Sequence, residues 1–95
     1  MDQSFGVIGG GSWATAIAKM LSNNSSKVNW WLRSEESVEY VKKFRHNNRY
    51  LQSVEFDLNK VHPSNDLRKV VEESDILVIA IPSAFVYETF NGFKV

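Results

Sequence analysis

The chain contains no cysteine and only two prolines, and it has neither a block of like charge nor a long apolar run. Each absence excludes a class of protein. Without cysteine there is no disulfide, no thiolate metal site and no cysteine nucleophile, which fits a reducing compartment. Lys and Arg number 11 and Asp and Glu 11, for a formal net charge of zero. That balance leaves no electrostatic footprint for nucleic acid or an anionic membrane. No apolar stretch approaches the ~20 residues that cross a bilayer, so no membrane span is expected. The opening Met1-Asp2-Gln3-Ser4 is not basic, and the first apolar run is too short for a signal peptide. The expected location is cytoplasmic. His46 and His62 stand apart without metal-ligand spacing, so neither a metal site nor a histidine catalyst is expected. The 95 residues suffice for one domain with a modest core.

Glycine is also sparse, with five in the chain, yet three of them are consecutive. The run Phe5-Gly6-Val7-Ile8-Gly9-Gly10-Gly11-Ser12-Trp13-Ala14 passes from a short apolar strand through a glycine turn into helix-forming sequence. Such an order builds a phosphate-binding turn, because glycines tolerate positive φ and let a ligand approach the backbone closely. Set against the dinucleotide fingerprint it is Gly9-x-Gly11-x-x-Ala14, the variant with alanine at the third position. Gly9 is expected to make the tight turn and Gly11 to leave room for a pyrophosphate. Ala14 lets the helix pack on the strand.

The rest of the chain supplies a matching frame. Ser4 to Ile8 forms a first strand, and Ala14, Ile17, Ala18 and Leu21 fall at helical spacing over Trp13 to Leu21. The polar run Ser22 to Ser26 ends that helix, with asparagine suited to a left-handed cap. Val28 to Leu32 is a second strand, rich in aromatics. Ser34 caps a second helix with Glu35 and Glu36 in its first turn and Val38, Val41, Phe44 and Tyr40 as its apolar stripe. Asn47 to Lys60 is polar and irregular, with Tyr50-Leu51 and Phe56 as scattered apolar anchors, and is expected to lie on the sheet edge as an extended loop. A short strand near Val61-His62 precedes a helix through Val70-Val71 capped by Asn65 or Asp66. Ile76 to Ile81 is continuously apolar, a pattern expected at the centre of a parallel sheet. Pro82 stops it, Ser83 to Phe90 is helical in pattern, and Asn91-Gly92 ends that helix.

The alternation predicts an α/β fold, a Rossmann-type doubly wound and mostly parallel sheet. Gly9 to Trp13, Arg33-Ser34 and Pro82-Ser83 with Phe85 then converge on one crevice at the strand ends. The candidate cofactor-binding residues are Gly9, Gly10, Gly11, Ser12, Trp13, Arg33, Ser34 and Phe85. A second strand ending about 22 residues beyond Gly11 stands where NAD enzymes place an acidic residue on the ribose. Here that position holds Arg33 and Ser34, which suit a 2′-phosphate through a guanidinium and a hydroxyl. Glu35 and Glu36 weigh against a phosphate, so NADPH is favoured over NADH only mildly. Each position also has a structural reading: Ser34 as a helix cap, Arg33 as a solvated side chain, Trp13 and Phe85 as packing residues.

Several stretches together resemble one family. Val7 to Ala18, the Trp31-x-Arg33 strand end, Asn48-Arg49-Tyr50-Leu51 and Asp75 to Ser83 are similar, in order, to the N-terminal part of NAD(P)-dependent glycerol-3-phosphate dehydrogenases. Ala14 departs from the family's usual glycine, and Gln52 from its usual proline after Tyr-Leu. The resemblance implies reduction of dihydroxyacetone phosphate to sn-glycerol 3-phosphate with NADH or NADPH, supplying phospholipid synthesis in bacteria. By carry-over, Ser12 and Trp13 contact the cofactor with Gly9 and Gly11, Arg33 sits at the adenosine end, and Phe85 lies near the nicotinamide half. The family's catalytic lysines come after the next strand and in a helical C-terminal domain, beyond Val95. Residues 1–95 are therefore expected to be an incomplete N-terminal cofactor-binding domain with no catalytic residue of its own, inactive alone. A homodimer is compatible with the full-length form. The rival readings are a related ketone reductase and a stand-alone dinucleotide-sensing module.

Overall fold

The computed structural model describes residues 3–24, 27–47 and 49–91; Ser25, Ser26, Asn48 and Gly92 of the stretches above lie outside them. Four strands alternate with helices: β1 (Ser4–Ile8), α1 (Ser12–Asn23), β2 (Lys27–Trp31), α2 (Glu35–Phe44), β3 (Val61–Ser64), α3 (Leu67–Glu72) and β4 (Ile76–Ile79). A 3-10 turn over Ser83–Phe85 leads directly into α4 (Val86–Phe90), so Ser83 to Phe90 is helical as expected, with its first turn wound more tightly. The strands form one four-stranded sheet in the order β3-β2-β1-β4, with every pair parallel. Chain order runs outward in both directions from β1, which puts a topological switch point between β1 and β4.

Alternation along the strands divides the core between two faces. Val7, Val28, Trp30 and Val61 pack with Ala14 and Ala18 of α1 and Val38 and Val41 of α2. Ile8 and Trp31, one residue on, face the other way and meet Val70 of α3, with Leu67 and Phe90 against them. Helices thus cover both faces, as the doubly wound pattern requires. The caps follow local chemistry. Ser34 Oγ accepts from Ser37 N at 3.1 Å to start α2, and Asp66 Oδ1 accepts from Lys69 N at 3.2 Å to start α3. Glu35 and Glu36 occupy the first turn of α2, and Lys42 and Lys43 its last, both matching the helix dipole.

Four expectations are corrected. The strand from Ile76 ends at Ile79, two residues short of the Ile81 expected, and among the described residues it pairs with β1. Within residues 1–95 its Ile76, Leu77 and Ile79 are 39%, 38% and 44% exposed. The C-cap of α1 is Asn24 with φ −96°, not a left-handed residue; its side chain instead donates to the Met20 carbonyl. Phe44 is exposed, stacking near Tyr40 and His46 at the end of α2, because the left-handed Arg45 turns the chain there. The segment from Asn47 to Lys60 is anchored by Phe56 as expected, but not by Tyr50 and Leu51, which are exposed, and it reaches in from the sheet edge. Phe56 is buried against Trp30 of the interior strand β2, ring centroids 4.8 Å apart, with Val54 and Leu58 packed beside the same core. A backbone bond ties this segment to the end of α2 (Phe56 N to Arg45 O, 2.7 Å). Among the described residues no helix is long and apolar enough to cross a membrane.

Candidate functional site

The β1–α1 turn is built from glycine for reasons that differ position by position. Gly9 has φ +136°, and a Cβ there would meet the Ala80 carbonyl oxygen at 2.5 Å, so both conformation and space demand glycine. Its two backbone groups are taken: Gly9 N donates to Trp31 O at 3.1 Å, and its carbonyl accepts from buried Trp30 Nε1 at 2.7 Å. Gly11 is the opposite case. A Cβ built on it meets nothing within 4 Å, so the protein's own packing leaves this space open.

Gly11 is also the N-cap of α1, and a glycine has no side chain to satisfy the helix's first amides. No acidic residue lies in the first turn to complement the dipole. Thr15 closes the first helical bond, donating from its N–H and its hydroxyl to Gly11 O at 2.9 and 2.7 Å. The N-terminus of a twelve-residue helix thus presents N–H groups without a partner among the described residues, and a positive dipole end, beside an open space. A pyrophosphate fits that arrangement on both counts.

The turn lines a cleft of about 590 Å³ at the switch point, with Gly10, Gly11, Ser12 and Trp13 on one side and Ala80, Ile81, Pro82 and Phe85 on the other. Arg33 and Tyr50 complete it. Trp13 is 64% exposed and Phe85 46%, so neither spends its ring on the core. An adjoining cleft of about 300 Å³ shares Gly10, Arg33 and Tyr50 and adds Ser34, Ser37, Asn47 and Arg49. Six of the eight candidate residues therefore meet in one cleft. Ser34 lies in the adjoining one, where it also caps α2, and Gly9 sits beneath the floor as the turn's pivot.

The adjoining cleft holds two guanidinium groups, and among the described residues neither makes an ion pair. Glu35 and Glu36, which weighed against a phosphate, are exposed and do not line it. Asn47, Arg49 and Tyr50 are the members that the residue pattern missed. Their segment has no periodicity; Arg49 stood out only within the family-like stretch, and Tyr50 there and as an apolar anchor. His62 lines a separate small cleft with Lys27, Asn29, Lys69 and Glu73. Its burial, aided by Lys27 and Lys69 and opposed by Glu73, holds its pKa below 6.5.

A doubly wound parallel sheet, with a glycine turn and a bare helix start at its switch point, defines a Rossmann-class dinucleotide-binding domain. Comparison with known proteins narrows the class. Residues 4–94 match the model of the NAD-dependent glycerol-3-phosphate dehydrogenase N-terminus, and the chain belongs to that family. It is 38% identical over 83 residues to the glycerol-3-phosphate dehydrogenase (NAD(P)+) of Pseudomonas syringae pv. syringae, covering 87% of this chain and 24% of that protein. The enzyme of the same name from Azotobacter vinelandii is 37% identical over 82 residues, covering 86% and 24%. The crystal structure of glycerol-3-phosphate dehydrogenase from Coxiella burnetii superposes with a TM-score of 0.84 at 28% identity, over 94% of this chain and 27% of that one. The chain thus spans about a quarter of the length of these relatives. The family name supports a nicotinamide dinucleotide, NAD or NADP, as cofactor.

Proposed function

We propose that this chain is the cofactor-binding part of an enzyme that interconverts dihydroxyacetone phosphate and sn-glycerol 3-phosphate, supplying glycerophospholipid synthesis. The observation that carries the reading is the open Gly11 at the unpaired start of α1, facing the cleft between β1 and β4. Here the backbone N–H groups of the first turn hold the pyrophosphate. Gly10, Gly11, Ser12 and Trp13 form the phosphate side, and Gly9 holds the turn from below. Phe85 and the Ala80-Ile81-Pro82 strand end flank the nicotinamide half. Arg33 and Ser34 take the adenosine end.

The bound cofactor supplies the hydride; this chain's residues bind and orient it and shield it from water. The lysines that polarise and protonate the carbonyl belong, on the family's pattern, to sequence beyond Val95. The described cleft has no lysine in its lining. Residues 1–95 by themselves are accordingly inactive on this reading, and their partners are the dinucleotide and, in the intact protein, the phosphorylated substrate. The homodimer of the full-length form also belongs to this proposal.

NADPH is preferred over NADH. The support is the side cleft, where Arg33 and Arg49 stand with the Ser34 and Ser37 hydroxyls and no carboxylate. Titration of the intact protein with both cofactors, repeated with Arg33→Ala, tests this. NADPH affinity falls selectively by about 1.5 kcal/mol, the low end for a hydrogen bond to a charged group because the side chain is exposed. Equal losses for both cofactors remove the preference. Cofactor binding without dihydroxyacetone phosphate reduction in the intact protein would favour the sensing module instead.

A further inference from the structure

Asn47 is only 4% exposed, although it lies in an irregular segment near the exposed Arg45, Arg49 and Tyr50. Its amide uses its full bonding capacity. Nδ2 donates to the Gly10 carbonyl at 3.0 Å and to Thr15 Oγ1 at 3.1 Å. Oδ1 accepts from Arg49 N at 2.8 Å and Tyr50 N at 3.1 Å. The amide's orientation is therefore dictated: reversed, its oxygen would face the Gly10 carbonyl and its NH2 two N–H groups.

Each contact bears on the cleft. The Gly10–Gly11 peptide is trans, so anchoring its carbonyl on Asn47 directs the Gly11 N–H to the opposite side. The Thr15 hydroxyl that accepts from Asn47 donates to Gly11 O, extending the same network to the next peptide. At the other end the amide makes an Asx-type turn that sets Arg49 and Tyr50, which line the side cleft together with Asn47 itself. Leu51 follows with a φ of +49°, so the chain turns sharply straight after them.

We propose that Asn47 is a positioning residue for the dinucleotide. One buried amide locks the glycine turn and the Arg49–Tyr50 wall into a single preformed cradle. The cofactor then binds without paying the entropy of ordering either part. This rests on the cofactor reading above, because the cradle is useful only if a dinucleotide occupies it.

The test is titration of the intact protein with NADH and NADPH, well below its melting temperature, with amide hydrogen exchange on the same samples. Asn47→Ala weakens both cofactors, each by about tenfold, while the Arg49 and Tyr50 amides lose protection and the strands keep theirs. Asn47→Asp retains the acceptor for those two amides but sets a carboxylate against the Gly10 carbonyl. It restores their protection and recovers only part of the affinity, and it carries the test should the alanine variant fail to fold. Affinity within about twofold of wild type in a folded Asn47 variant overturns the positioning role. A wild-type protein that binds neither cofactor instead overturns the dinucleotide reading on which it rests.

Discussion

Two walls of one cleft are made in opposite ways. The wall from Gly9 to Trp13 is continuous in sequence, and its shape comes from backbone freedom and the start of a helix. The wall carrying Arg49 and Tyr50 belongs to a segment without regular structure, held by the buried Phe56 ring and the Asn47 amide. The first wall needs particular residues because of local conformation. The second needs them because of what they touch more than thirty positions away, Gly10 and Thr15. Local constraints leave a pattern in the sequence; long-range ones leave single residues that look like any polar or aromatic position.

Substitutions in the two walls separate these accounts. The largest effect is expected from Phe56→Ala, which removes a fully buried ring packed at a tilt against Trp30. It should cost about 3–5 kcal/mol of stability, measured by denaturant titration of the intact protein. A loss below about 1 kcal/mol would mean that the segment merely rests on the sheet.

Next come the two glycines of the first wall, which should respond in opposite assays. Gly9→Ala forces a β-carbon into the Ala80 carbonyl at a positive φ, destabilising the fold by about 2–3 kcal/mol. Gly11→Ala places its methyl in open space and should cost about 1 kcal/mol or less as a poorer N-cap. The same methyl should remove about 1.5–3 kcal/mol of dinucleotide affinity by displacing the charged group from the helix start. Equal stability losses at both positions would show that Gly11, like Gly9, serves the fold alone.

The smallest effect concerns His62, away from both walls. Its folded-state pKa lies below 6.5, chiefly through burial and the nearby Lys27, so the unfolded chain takes up its proton first. Stability therefore rises with pH through the window below 6.5 and falls on acidification. Melting temperatures between about pH 7 and pH 5 should drop for the wild type and drop less for His62→Gln. Parallel curves would assign the acid sensitivity to other groups.

Much of the fold was legible because its signals are local. Ser34 and Asp66 cap the helices their sequences announce, β1 spans Ser4–Ile8 as read, and the alternation of apolar strands and helices specifies a parallel sheet. The apolar run from Ile76 reads two residues too long, because hydrophobicity states how much burial a strand can use, not where its pairing stops, and β4 ends at Ile79. Phe44 reads as part of the apolar stripe, but the left-handed Arg45 ends the helix at that residue and leaves its ring exposed, while Val38 and Val41 reach the core.

The sequence by itself determined the glycine turn, the helix start that follows it and the order of elements that brings the strand ends together. These depend on φ preferences, capping and periodicity, all of which act within a few residues. Only the tertiary structure decided that Gly9 is a pivot braced by Trp30 and that Gly11 opens onto space. It alone brought Asn47 beneath the turn. Those facts rest on hydrogen bonds and contacts between segments distant in the chain, and nothing in local pattern encodes which distant group a side chain will meet.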